Sequence, residues 1–225
     1  MLAVIKKEFK SYLLSPIGYV FIGLFLIILS IFFYSLFISR VSNFEYLFYN
    51  GATILTFVTP LLTMRMFSEE RKSGTEQLIL TSPRSITSIV LGKFCAAGIM
   101  IAITEVFTLI YYFILVHFGK PSLLVSLTTL LGFFLLSLAY ISFGMFISSI
   151  TENQIIAAVI TIGGLLALWF VPDFNSILST FSLIAEFEKF PNGLITSSGI
   201  ISFVSFSLLF ILLTIITLQR RKSTK

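Results

Sequence analysis

The chain has 225 residues, of which 57% are hydrophobic and only 11% charged, with 26 phenylalanines and a formal net charge of +5. A soluble domain carries roughly 25% charged residues, and a globule of this length buries only about two-thirds to three-quarters of its surface. Aqueous enzymes, nucleic-acid-binding modules and disordered chains are thereby excluded, leaving an all-helical polytopic membrane protein. Cys95 is the single cysteine and His117 the single histidine. An intrachain disulfide cannot form, and a zinc site of the usual nitrogen and sulfur ligands is not expected.

In chain order, the first segment is 1–15. Leu2, Ile5, Phe9, Tyr12 and Leu13 fall on one helical face, and Lys6, Lys7 and Lys10 fall mostly on the other. This pattern predicts a helix lying in the membrane interface, ended by Ser15-Pro16. Six apolar runs follow: Ile17–Ser39, about Tyr46–Met64, about Phe94–Val116, about Leu123–Ile150, a short Ile155–Phe170 and about Ile195–Leu218. Each is read as a membrane-spanning helix. The first is too long for a cleaved signal peptide and lacks a small-residue cleavage site.

Twelve of the fifteen Lys and Arg residues lie in the first segment, the loop 65–93 and the tail; only Arg40, Lys120 and Lys189 lie on the opposite side. The positive-inside rule then places both termini in the cytoplasm.

The loop 65–93 is the longest connection on that side. Ser73 followed by Glu76 is a capping-box pattern, so a helix of about two turns is predicted to start near Gly74. It carries Leu78, Ile79 and Leu80, and Ser82-Pro83 ends it, since a residue before proline avoids the helical region. A short helix with an apolar face suits a partner protein's groove. On the opposite side, the stretch 171–194 begins with Pro172-Asp173-Phe174-Asn175, which is expected to break the fifth helix. It is too apolar for a free loop and too broken for a seventh span, which predicts a re-entrant or interfacial hairpin.

Glu105 falls in the middle of the third run. An acidic group at that depth costs several kcal/mol, about 2.5–3.5 on insertion scales, and needs protein, water or a proton around it. It is the candidate for a translocation path or a chain–chain interface. Gly132, Gly144, Gly163 and Gly164 are expected to let helices approach closely. The many phenylalanines are expected to face lipid, with Tyr19, Tyr46, Tyr49 and Trp169 near the interfaces.

Several stretches resemble the permeases of ABC-2-type transporters. They are Arg65, Glu69-Glu70-Arg71-Lys72-Ser73-Gly74-Thr75-Glu76, Leu78 to Pro83 and Gly92-Lys93-Phe94. Lys6-Lys7-Glu8-Phe9-Lys10, Ser15-Pro16-Ile17-Gly18-Tyr19 and the stretch Glu186 to Ile195 are similar to the subgroup of gliding-motility-associated ABC permeases. Many of those relatives carry His-Phe where this chain has Glu186-Phe187. The resemblance implies one ABC-2-type transmembrane domain over 1–225, with an elbow helix at 1–15, a coupling loop at 65–93 and an extracytoplasmic hairpin at 171–194. It implies a multi-pass protein of a cell membrane, bacterial in type.

The same resemblance implies an exporter permease that pairs with a second permease chain, identical or related, and with a separate ABC ATPase subunit. Glu69, Glu70, Arg71, Gly74, Thr75, Leu78 and Ile79 would contact that ATPase. The chain has no G-x-x-x-x-G-K-[ST] phosphate loop, so no cofactor is expected in it and Mg-ATP would be bound by the partner. Lipid is the other expected partner; nucleic acid is not. A secondary transporter or channel is the alternative, weakened by the lack of an internal repeat. An intramembrane enzyme is weaker still, because His117 lies at a span end and no G-x-S-x-G elbow is present.

Overall fold

The computed structural model describes residues 1–80, 84–117, 119–174 and 182–223, with Ile79, Leu80, 171–174 and Ser223 described by backbone alone. Among the described residues ten helices run in the order α1 (Leu2–Leu14), α2 (Pro16–Ser39), α3 (Glu45–Thr63), α4 (Ser68–Lys72), α5 (Glu76–Leu80), α6 (Ile86–Leu115), α7 (Leu123–Ile150), α8 (Gln154–Phe174), α9 (Leu183–Phe187) and α10 (Ser197–Ser223). No strand occurs among the described residues.

Among the described residues, five helices are long and apolar enough to cross a membrane: α2, α3 with its continuation through α4, α6, α7 and α10. A sixth apolar stretch, Gln154–Phe170 within α8, is shorter. Its start follows Ile150, whose carbonyl accepts a hydrogen bond from Arg71 at one end. Beyond α8, Phe190 packs against Gly132 in the opposite half of α7.

Helix α7 is the centre of the bundle and packs on α3, α6, α8 and α10. Its small residues allow this. A Cβ on Gly132 would run into Phe190, one on Gly144 into Thr63 and one on Gly98 of α6 against Leu138. Gly164 of α8 receives the Phe143 ring, whereas Gly163 has nothing within 4 Å. Phenylalanine builds much of the core rather than only facing lipid. Phe133 meets Phe25 at 5.7 Å, Phe48 at 5.0 Å and Phe187 at 6.2 Å between ring centroids, the last two edge-on. Flat rings meeting edge to face fill the space between straight helices and add about 0.5–1.5 kcal/mol per pair beyond burial.

The sequence-based boundaries need three adjustments. First, α6 starts at Ile86, where Ser85 Oγ accepts the Ser88 amide at 3.3 Å. This cap draws Gly92 and Lys93 out of the loop and into the helix. Second, the charged approach Ser68–Lys72 is itself helical, and Ser73 closes α4 instead of capping α5. Its hydroxyl donates to Glu69 O at 2.8 Å. Gly74 then turns the chain at φ +74°, a left-handed conformation that glycine adopts without a Cβ penalty. Third, α8 continues past Pro172 to Phe174. The expected stop at Ser82-Pro83 and the middle of the 171–194 hairpin lie outside the described residues.

Helix α1 lies against α6 and α2. Val4, Ile5, Glu8, Phe9 and Tyr12 turn partly inward, while Lys6, Lys7 and Lys10 are exposed. Leu2 and Leu13, which share the apolar face with Ile5, Phe9 and Tyr12, are exposed as well. The contact with α6 depends on Gly92, where a Cβ would stand 2.7 Å from Val4 Cγ1.

Candidate functional site

The α4–α5 segment sits at the end of the bundle that also carries α1, the α7–α8 turn and the last turn of α10. Its seating begins with the backbone. The first amides of a helix have no partner within the helix. Here Phe67 N and Ser68 N both donate to Ser148 Oγ of α7 at 3.1 Å, and that hydroxyl donates onward to Met64 O at 3.1 Å. Ser68 Oγ also donates to Met64 O. Ser68 and Ser148 are fully buried, so a side chain of α7 fixes the entry of α4.

Ion pairs then tie the segment to its neighbours. Lys93 of α6 is 3% exposed. Its Nζ lies 2.7 Å from Glu70 Oε1 of α4, 3.2 Å from Glu8 Oε2 of α1 and 5.2 Å from the centroid of the Phe67 ring. One buried cation thus joins three elements. Arg71 reaches the α7–α8 turn, with Nη2 2.6 Å from Glu152 Oε1 and Nη1 donating to Ile150 O at 3.0 Å. Past the Gly74 turn, Glu76 Oε1 of α5 accepts from Arg221 Nη1 of α10 at 2.9 Å. Arg65 and Glu69 pair with each other at 2.6 Å.

A cleft of about 440 Å³ opens between α1 and α4, lined by Lys7, Glu8, Tyr12, Arg65, Glu70 and Lys93 among others. Tyr12 donates its hydroxyl to Leu62 O at 3.1 Å. Burial pushes the Tyr12 hydroxyl well above the usual phenol range, and the carboxylates of Glu8 and Glu70 push the same way. It stays a neutral donor, anchoring α1 to the end of α3.

Of the residues expected to meet a partner, Gly74, Thr75 and Leu78 are exposed, Leu78 by 72%. Glu69, Glu70 and Arg71 are half-buried and engage Arg65, Lys93 and Glu152 within the chain. The Ile79 side chain lies outside the described residues. Sequence reading missed Glu8, Ser148, Glu152 and Arg221 as members of this site. The only available signal for Glu8 was an acid standing alone in a basic helix.

Glu105 is remote from the segment. It lies in a groove between α6 and α7 with a volume of about 390 Å³, lined by Ala102, Val106, Leu109, Leu130, Leu131 and Phe134. Its Oε1 is enclosed and has no hydrogen-bond partner among the described residues. At the end of the bundle opposite α4–α5, Glu186 of α9 is 6% exposed. It is held by Lys189 Nζ at 2.6 Å, Ser198 Oγ at 3.1 Å and Thr196 Oγ1 at 3.3 Å. This network ties α9 to the start of α10. No cluster of metal-ligand side chains occurs among the described residues.

Long apolar helices around α7, with a polar segment clamped at one end, define a multi-pass membrane protein. Residues 44–206, well over half the chain, match the family described as ABC-2 family transporter protein, and the chain belongs to that family. It is therefore the membrane permease of an ABC transporter rather than an enzyme, and an ATPase subunit is the kind of partner that such permeases work with. No curated protein matches the chain closely enough to refine this.

Proposed function

We propose that this chain is the permease subunit of an ATP-driven exporter, which couples to a separate ATPase through α4–α5. The observation that carries the reading is the clamp. A five-residue helix with exposed Gly74, Thr75 and Leu78 is held to the bundle by ion pairs on both sides of the Gly74 turn. Left alone, a single helical turn is unstable in water. Held in place, it can transmit force. Leu78 and Ile79 fill the partner's groove, Gly74 and Thr75 approach its surface, and Glu69, Glu70 and Arg71 set the polar rim. Buried apolar anchors outweigh rim charges in such contacts. Mg-ATP is bound and hydrolysed by the ATPase chain.

In the same reading α8 is the sixth span, α1 is an interfacial elbow and α9 belongs to an outer hairpin. Both ends of the chain face the cytoplasm of a bacterial cell. The likeness of 1–19 and 186–195 to gliding-motility-associated permeases supports that subgroup. Two permease chains, identical or related, assemble with two ATPase chains. Glu105, unpaired at membrane depth, marks the translocation path or the contact between permeases, and its outward-opening groove favours the contact.

Co-purification with an ABC ATPase, sought first in the neighbouring reading frames, tests the docking. Leu78→Asp is expected to abolish co-purification or to uncouple ATP hydrolysis from transport, with membrane insertion unchanged. Normal assembly and transport in that variant would overturn the docking reading. For topology, single cysteines at Ser42 and Lys225 in a Cys95→Ala background are expected to differ in labelling by an impermeant maleimide on intact cells. Equal labelling would refute the six-span arrangement.

A further inference from the structure

Two of the three ties on the α4–α5 segment hold α4. Glu70 meets Lys93, and Arg71 meets Glu152. The third lies beyond the Gly74 turn, where an added Cβ would meet nothing within 4 Å. That turn is left-handed. Thr75 Oγ1 donates across it to Glu70 O at 3.3 Å, and the Ser73 and Thr75 hydroxyls lie 2.9 Å apart. So α4 holds the chain as far as Thr75, and the position of α5 beyond it depends on further contacts. The ion pair that reaches α5 is Glu76–Arg221, and both side chains are largely shielded, at 14% and 22% exposure.

Arg221 is in the basic run Arg220-Arg221-Lys222, which the sequence offers only as a topology signal. Arg221 is the partly buried member, whereas Arg220 and Lys222 are exposed. Its place follows from the helix beneath it. α10 is continuous from Ser197, and its inward face includes Ile211, Ile215 and Leu218. A helix turns by about 100° per residue, so rotation of α10 by one position would carry the guanidinium away from Glu76. The first turn of the same helix is bonded through Ser198 to Glu186 of α9 at the other end of the bundle.

We infer that Arg221 is a positioning residue: through Glu76 it registers α5, the exposed half of the docking segment, to the rotation of α10. This inference rests on the reading of α4–α5 as the ATPase-docking segment. The last spanning helix thereby reads or drives the docking surface, and its far end reaches the α9 network.

The test has two readouts. Amide hydrogen exchange over residues 75–78 is measured on the full chain in lipid nanodiscs, without any partner. Affinity for the ABC ATPase is measured on the same preparations. Arg221→Met is expected to raise exchange over 75–78 and weaken ATPase binding about fivefold, the size of one partly shielded pair. Arg221→Lys should recover most of both. Arg221→Glu should be worse than Arg221→Met, and the swap Arg221→Glu with Glu76→Arg should return both readouts to within about twofold of wild type. If Arg221→Met lowers only thermal stability and leaves 75–78 exchange unchanged, the positioning role is overturned. If exchange responds as expected but Leu78→Asp still binds the ATPase normally, the docking reading has failed, and this inference with it. If Leu78→Asp abolishes binding while every Arg221 variant behaves as wild type in both readouts, the docking reading stands and this inference alone has failed.

Discussion

Two buried ionisable groups on the same helix have opposite surroundings. Lys93, near the start of α6, has two carboxylates and an aromatic face around its ammonium. Glu105, twelve residues further along, sits among leucines, a valine, an alanine and a phenylalanine with one oxygen unpaired. A charge is tolerated in a low-dielectric setting when its counter-charges are built into the same chain. The contrast teaches that Lys93 has its counter-charges within the chain, whereas Glu105 Oε1 has no hydrogen-bond partner among the described residues.

The largest effect is expected at Lys93. Lys93→Met keeps the length of the side chain but leaves Glu8 and Glu70 facing each other in a shielded site. Removing one partner of a buried pair costs about 3–5 kcal/mol. The thermal transition of the purified chain should fall accordingly, and α1 should become sensitive to proteolysis. A stability within error of wild type would show that the three-way contact contributes nothing. Next comes Ser148→Ala, which strands the amides of Phe67 and Ser68. Each buried donor left without an acceptor costs about 1–3 kcal/mol. Amide exchange at the start of α4 should rise most, and protection equal to wild type there would remove Ser148 from the site.

Glu105→Leu should act in the opposite direction. It removes an unpaired acid from an apolar groove, so the isolated chain should melt at the same or a higher temperature. If Glu105 serves a contact between permease chains, that variant should lose self-association despite its stability, and Glu105→Gln should keep it. A Leu variant with unchanged self-association and full transport would leave Glu105 without a role. The smallest effect belongs to Arg65→Gln. Its pair with Glu69 is an i,i+4 contact with both side chains about 40% exposed, worth about 0.3–0.5 kcal/mol. A loss comparable to that of Lys93→Met would mean that the cleft beside it is a tighter site than its geometry implies.

Much of the helical layout was legible from hydropathy alone, because a run of about twenty apolar residues has few other uses. The start of α2 and both ends of α7 agree with the pattern to within a residue or two. The clamp was not legible. Its pairs join residues 23 to 145 positions apart, and the charges that form them read equally well as markers of topology. The start of α6 was misplaced for a related reason: Thr87 and Ser88 interrupt the apolar residues Ile86, Ile89, Val90 and Leu91, and Lys93 after them resembles a loop residue until its partners Glu8 and Glu70 are seen. The phenylalanines were misread because composition cannot separate a ring facing lipid from one packed edge-on in the core.

Gly92 and Lys93 also bear on the order in which the chain is built. Glu8 precedes its partner Lys93 by 85 positions, so a ribosome has already released α1 long before the helix that receives it exists. In that interval the apolar face of α1, with Leu2, Ile5, Phe9, Tyr12 and Leu13, suits a membrane surface, with Lys6, Lys7 and Lys10 mostly on the other side. Insertion of α6 then supplies a groove at Gly92 and a cation at Lys93 in a single step. The seating of α1 therefore depends on α6 being in place: a chain whose α6 is misplaced leaves α1 without the groove at Gly92 and the cation at Lys93.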